Sequence, residues 1–469
     1  MFGSVSVFLD FNLPNATTWF YFSFLLAVAI FFKFGRLLSI RNFDVIALFA
    51  LVPALMVIQV SHPRPKPTPT QATLEAARLV ADAWLSAIAS PQIAAAQMNQ
   101  YIADKRAIHD AARWLWFGYL WLLCGSAFFF VRCLVDLTLV QRPLLTPNLS
   151  IGGLGWFSMA LIACLTAVAF RQPDRPTTPN TIAIASPQPS TESASVTLAR
   201  QQVDPSPLMM RGFAIVGHLL VVLGLILIGR LHFQDAAGGT AAATFYLILP
   251  YTGMYVRYAD HVWPMAVIVW TMLAYRRPSL AGLLLGLAAG GLYFPALLFP
   301  VFVSFYRGRG AVRFVFFFFL SLALVLGAVA FALDMQGTLH DSIRQALDQA
   351  AWQPWKIPPA DTEGFWTGVH GAYRIPVFLA YFAFVVATAF WPAPKNLGHV
   401  LALSAAILIG TQFWYGEQGG TYVLWYLPLL LLVVFRPNLE SHAAPPISPT
   451  TDWLYRVRSL FARFVLRRR

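Results

Sequence analysis

The stretch "FYLILPYTGMYVRYADHVWPMAVIVW", residues 245–270, holds two runs apolar enough to enter a bilayer, separated by one charged turn. Arg257, Asp260 and His261 fall within five residues, framed by Tyr255, Tyr258 and Trp263. The same alternation of oily block and wet turn recurs along the chain. Of 469 residues, 58% are hydrophobic and only 11% charged, with a mean hydropathy of +0.63. A soluble domain carries roughly a quarter of its residues as charges. Here the apolar blocks run near 20 residues, the length a helix needs to cross about 30 Å of hydrocarbon. A transmembrane barrel would alternate in segments of about ten residues instead, and these blocks are solidly apolar. The expected class is all-α, a polytopic transmembrane helical bundle.

The net charge of +13 does not point to nucleic acid. Lys and Arg sit mostly at the ends of apolar blocks, where they encode topology. Cys124, Cys133 and Cys164 show no CxxC pair and read as small core residues. No basic region precedes the first apolar run and no small-residue cleavage site follows it, so that run is expected to stay as a span.

About twelve spans are expected, at 18–35, 43–60, 112–132, 153–170, 212–231, 241–256, 262–275, 279–305, 311–333, 375–391, 397–413 and 421–435. The block 279–305 is long and contains Gly290, Gly291, Pro295 and Pro300. A broken or re-entrant pair of short helices there raises the count to thirteen. The chain divides into two N-terminal spans (1–60), a Pro-rich stem with an interfacial helix (61–111), two spans (112–171) and a Pro/Ser/Thr-rich loop expected to be disordered (172–209). A helical core (210–334), an amphipathic loop (335–373), three C-terminal spans (374–436) and a basic tail (437–469) follow.

Sidedness follows from the basic residues. With the N-terminus outside, Lys33, Arg36, Arg41, Arg132, Arg142, Arg230, Arg276, Arg277, Arg307, Arg309, Arg313 and Lys395 all become cytoplasmic, as does the tail. Residues 1–17 and 414–420 have no Lys or Arg, and the opening turn has only Arg257. The expected location is a bacterial inner membrane, with the C-terminus in the cytoplasm. The tail "DWLYRVRSLFARFVLRRR" reads as an amphipathic helix on an anionic inner leaflet, with membrane lipids as its partner.

On this topology Arg257, Asp260 and His261 lie at the outer interface. The plain reading is a span boundary in which Arg257 pairs with Asp260. The functional reading has Arg257 and His261 binding an anionic group while Asp260 works as acid or base. In "WYGEQGGTYVLWY", Glu417 keeps company with Trp414, Tyr415, Tyr422, Trp425 and Tyr426, whose faces suit sugar stacking. Gly416, Gly419 and Gly420 there let backbone approach a ligand. A Gly turn inside an aromatic belt is the competing account. His218 is expected to bond a neighbouring helix, Asp44 to cap one, and Asp136 to pair with Arg132. No spacing resembles HExxH or CxxC, so no protein-bound metal is expected; a Mg²⁺ held by a phosphate substrate is compatible with the pattern.

"RRPSLAGLLLGLAAGGLYFPALLFPVFVSFYRGRGAVRF", residues 276–314, resembles a segment of the bacterial polyprenol-phosphate-mannose-dependent mannosyltransferases of the GT-C superfamily. Arg276, Arg277, the helix Ala281 to Ala288, Tyr293 with Pro295, and Arg307 to Arg309 carry the likeness, and "GGTYVLWYLPLLLLVVF" looks like the closing helix. The segment departs from that family at Gly291–Leu292, where a Lys is common. Loop 61–111 departs too, with no carboxylate before Glu75 and Asp82. The resemblance implies a GT-C-like fold and transfer of a hexose from a polyprenyl-phosphate donor on the extracytoplasmic face. An outer carboxylate would activate the acceptor and cations would stabilise the leaving phosphate. Asp260 and Glu417 are the expected catalytic residues. Arg257, His261, Trp263, Lys356, His370, Arg374, Trp414, Tyr415 and Tyr422 are the expected binding residues. The other readings are a transporter or flippase of a lipid-linked solute and a non-catalytic multi-pass scaffold.

Overall fold

A computed structural model describes residues 16–61, 91–139, 147–171, 207–335 and 369–445, apart from 37 and 417, together with 353–356, 364–367 and a few positions between 337 and 343. Glu417, Glu75 and Asp82, the Pro/Ser/Thr-rich loop up to 206 and the tail from 446 lie outside these residues. The regular structure of the described residues is all helical, with one isolated bridge between Asn396 and Ala443 and no strands among them.

The helices are α1 (Ala16–Phe31), α2 (Ile40–Ala50), α3 (Val52–Ser61), α4 (Pro91–Asp136), α5 (Ile151–Arg171), α6 (Pro207–Leu231), α7 (Ala236–Ile248) and α8 (Pro250–Met254). After them come α9 (Ala259–Leu273), α10 (Pro278–Gly291), α11 (Phe299–Phe305), α12 (Ala311–Met335), α13 (Gly371–Ala387), α14 (Leu397–Trp414) and α15 (Leu427–Phe435). Five segments are long and apolar enough to cross a membrane: His109–Asp136, Ile151–Arg171, Leu208–Leu231, Ala311–Met335 and Leu397–Trp414. This is a membrane-embedded helical protein. Each expected apolar block falls on a helix, several of them short or broken.

Proline placement accounts for the breaks. Pro250, Pro278, Pro295, Pro300 and Pro428 all stand at the first or second position of a helical segment, where the missing N–H costs nothing. The last block, expected as a helix over 421–435, is helical only from Leu427; a 3₁₀ turn at Val423–Trp425 precedes it. Helix α4 is 46 residues long, roughly 69 Å at 1.5 Å per residue, and so runs well past its apolar part.

Glycine spacing shows how the block 279–305 runs. A Cβ on Gly282 would lie 2.3 Å from the Phe314 carbonyl, one on Gly286 2.2 Å from that of Phe318, and one on Gly290 2.7 Å from Val325. Residue numbers rise together along both helices, so α10 and α12 are parallel and begin at the same end of the bundle. The chain between them doubles back through Phe294–Phe305, and the Tyr306 hydroxyl donates to the Tyr275 carbonyl at 2.6 Å beside the start of α10. The block is thus broken into short helical pieces that fold back on one another, with the turn at Leu292–Phe294. Small residues at four-residue spacing are what allow the two backbones to meet.

A second parallel pair, α6 and α9, repeats every seven residues. Gly217 faces Val262 and Gly224 faces Val269. Trp263 Nε1 donates to the Phe213 carbonyl at 2.9 Å and Trp270 Nε1 to that of Leu220 at 3.1 Å. In the middle stand α7, α14 and α15, buried on nearly every side, as helices apolar all round must be. Helices α5 and α12 keep most of their surface exposed, the face a membrane would cover.

The end of the bundle carrying Lys33, Arg132, Arg276 and Lys395 is its basic end. There Arg132 donates to both Asp44 oxygens at 2.8 Å and to Asp136 at 3.1 Å. Arg436 donates to Asp136 Oδ2 through Nε at 2.8 Å and Nη2 at 2.5 Å. The expected Arg132–Asp136 pair forms. Asp44 is not the cap of α2, however: Ser39 holds that position and accepts from Asn42 N, which leaves Asp44 to balance Arg132. His218 Nδ1 bonds the Tyr246 hydroxyl at 2.7 Å, joining α6 to α7 as expected. The three cysteines are free thiols.

Candidate functional site

At the opposite end, residues far apart in sequence meet in a stack of rings. Tyr255 lies against His261 (centroids 4.4 Å, planes 18° apart), and His261 against Tyr422 (5.5 Å, 22°). Tyr422 then stacks on Trp425 (4.1 Å, 19°) and Trp425 on Phe294 (4.0 Å, 17°). Three places where α-helix starts or breaks supply the five rings: the charged turn with the first turn of α9, the run before α15 that includes the 3₁₀ turn Val423–Trp425, and the fold-back at Phe294. Non-helical backbone at membrane depth survives only where protein buries it, and Tyr422 and Trp425 are buried.

The imidazole of His261 is 1% exposed, and neither Nδ1 nor Nε2 has a hydrogen-bond partner. Trp425 Nε1 and Trp414 Nε1 are likewise buried without partners. An unsatisfied buried polar group costs about 1–3 kcal/mol, and three such side chains leave unused hydrogen-bonding capacity in one aromatic neighbourhood. Asp260 sits half-buried in the first turn of α9, next to His261, and its charge acts on that ring. Pro264, four residues on, lacks the N–H that the Asp260 carbonyl would accept. The alternative Arg257–Asp260 pair is not formed. Arg257 Nη2 donates instead to the Tyr258 hydroxyl at 2.8 Å, with the guanidinium over that ring.

The turn at 415–421 is built by its glycines. A Cβ on Gly419 would lie 2.6 Å from the Gln412 carbonyl, and Gly420 has φ +99°. Gln412 Oε1 accepts from Gly420 N at 3.0 Å, and the Thr421 hydroxyl donates to the Gln418 carbonyl at 2.8 Å. This folds the chain back under the end of α14 and sets Tyr422 against His261. Tyr415 meets Tyr422 edge-on at 5.8 Å, and Trp414 meets Phe378 edge-on at 5.0 Å.

The remaining expected binding residues stand apart from the stack. Trp263 stacks on Phe213 at 4.2 Å and serves the α6–α9 contact. His370 is exposed and caps α13, its Nδ1 accepting from Ala372 N at 3.2 Å. Arg374 is buried in the first turn of α13 and donates to the Gln353 carbonyl at 3.3 Å. Lys356 lies in the neighbouring loop piece, its backbone N–H on the same Gln353 carbonyl. Trp366 pins this loop to α14 through the Phe413 carbonyl at 2.9 Å. Phe294, which closes the stack, was not among the expected residues. Among the described residues no three His, Cys, Asp or Glu side chains gather to hold a metal. No family model, no curated protein and no solved structure matches this chain.

Proposed function

We propose that the chain is an integral-membrane glycosyltransferase that takes a hexose, such as mannose, from a polyprenyl-phosphate donor at the extracytoplasmic face. In this reading the fold is GT-C-like, with twelve spans rising to thirteen with the re-entrant pair. The basic end faces the cytoplasm of a bacterial inner membrane, and the N-terminus is outside. The observation that carries the proposal is His261: a buried imidazole between two tyrosine rings, with two unused nitrogens, one residue from a carboxylate. Sugar hydroxyls seek donors and acceptors, which the imidazole nitrogens and the Asp260 carboxylate supply. Asp260 deprotonates the acceptor hydroxyl, whose oxygen then attacks the anomeric carbon. The sugar–phosphate bond breaks, and the leaving phosphate takes hydrogen bonds from His261 and Arg257.

The test is transfer of radiolabelled sugar from polyprenyl phosphate into membranes carrying each variant. Asp260→Ala should lower transfer by about 10²–10⁴-fold, the span of general-base contributions, and His261→Ala should lower it as well. Wild-type rates in both variants would defeat the reading. The breaks at 292–293 and 421–426 also favour a carrier, because transporters bind solutes at discontinuous helices. Solute uptake into proteoliposomes without sugar transfer would establish that second reading.

A further inference from the structure

The basic end carries a charge imbalance that the sugar-transfer reading does not use. Its buried ion pairs are self-contained: Arg132 and Arg436 offset Asp44 and Asp136. Lys395 stands outside this balance. It is 4% exposed, and among the described residues its ammonium donates only to neutral oxygens, Ser304 Oγ at 2.8 Å and the Pro392 carbonyl at 2.9 Å. Buried charges in proteins are normally paired, because an isolated one costs several kcal/mol to desolvate.

The groups around Lys395 add positive charge. A Cβ on Gly398 would lie 2.9 Å from Arg436 Nη1, so that guanidinium rests on the first turn of α14. Beyond Asp136, Arg436 Nη1 has only a 3.5 Å contact to the Pro437 carbonyl. His399 is one residue further along, half-buried, and the charges of Lys395 and Arg436 both act on its ring. Its Nδ1 accepts from Asn396 N at 3.3 Å, which makes Nε2 the nitrogen that carries the proton of the neutral ring. Arg309 donates to the Ala444 carbonyl at 2.8 Å, next to Ala443, which bridges to Asn396. Close to Lys395 in sequence the loop exposes Phe390 and Trp391, and Trp is a residue that sits among lipid headgroups.

We propose that Lys395, His399 and Arg436 form a binding site for a phosphate-bearing anion at the basic end of the bundle. The third ammonium proton of Lys395, His399 Nε2 and Arg436 Nη1 are its donors. Burial alone holds Lys395 down at about 8 against an ordinary value of 10.5, and a bound phosphate would raise it again. A free phosphate and the phosphodiester of an anionic lipid share this chemistry.

The experiment uses the full chain in phosphatidylcholine nanodiscs, with and without inorganic phosphate, and in nanodiscs containing phosphatidylglycerol. The readout is the acetylation rate of Lys395 by peptide mass spectrometry, with chloride of equal ionic strength as control. At phosphate about ten times its dissociation constant, the free site and the labelling rate should fall about tenfold. Protection by inorganic phosphate identifies a free anion, and protection only with phosphatidylglycerol identifies the lipid. Phosphate or phosphatidylglycerol should also raise the unfolding temperature of wild type and of Lys395→Arg but not of Lys395→Gln. If neither anion changes the labelling rate of wild type beyond the chloride control, the site does not exist, whether or not Lys395→Gln folds.

Discussion

Replacing Gly286 by Ala puts a methyl group 2.1 Å from the Ser321 hydroxyl and 2.2 Å from the Phe318 carbonyl. Side-chain carbons essentially never come closer than 3.0 Å to such atoms, and a carbonyl, unlike a rotamer, cannot swing away. Helices α10 and α12 must therefore part along this seam. Forced overpacking of this kind costs about 1–3 kcal/mol. Against it stands the gain of about 0.5–1 kcal/mol that alanine brings over glycine inside a helix. Gly327, in the middle of α12, has nothing within 4 Å of its added Cβ, so Gly327→Ala should show that gain alone. The expected difference between the two variants is about 2 kcal/mol, read as unfolding midpoints in mild detergent. The double variant Gly282→Ala/Gly286→Ala should cost less than twice the single one, since one shift of α12 relieves both contacts. If Gly286→Ala proves as stable as Gly327→Ala, the two helices do not meet at these glycines, and residues 294–305 need not double back between them.

Asp136→Asn strips Arg436 of its carboxylate and weakens Arg132 at the same time; removing one partner of a buried pair costs about 3–5 kcal/mol, measurable by the same unfolding assay. Trp270→Phe removes the indole donor to the Leu220 carbonyl and should cost about 0.5–1.5 kcal/mol, with Trp263→Phe similar and the two nearly additive. Lys395 predicts a pH dependence. Its folded value of about 8 lies below the 10.5 of the unfolded chain, so between these pH values the unfolded chain binds more protons. Stability of the anion-free protein should then rise as pH climbs from 8 toward 10.5, and Lys395→Met should flatten that slope. An identical slope in the variant would remove Lys395 as its source.

The Asp260 and His261 tests depend on a geometry only partly legible in the chain. Residues 255–263 and 414–426 each announce an aromatic, polar turn between apolar blocks, because composition is local. Nothing in the sequence distinguishes Phe294 from the other phenylalanines among its 39, and its place in the stack depends on a hairpin folding back. Trp263 looked like part of the same turn, yet lies on the face of α9 that meets α6. With Pro and aromatic residues perturbing helix ends, residue spacing alone does not say which face turns inward. His370 shows the opposite case, a conspicuous imidazole spent on capping α13.

By itself the amino-acid order determined where apolar helices form, where prolines begin them, and which end collects basic charge. Each is settled within about 20 residues, by hydropathy and by the missing proline N–H. Only tertiary structure decided that α10 and α12 run parallel, that Tyr255, His261, Tyr422, Trp425 and Phe294 share one stack, and that Lys395 is buried with no ion pair to a described carboxylate. Those outcomes depend on how closely backbones approach at Gly282, Gly286 and Gly419. Such contacts join residues that no local pattern connects.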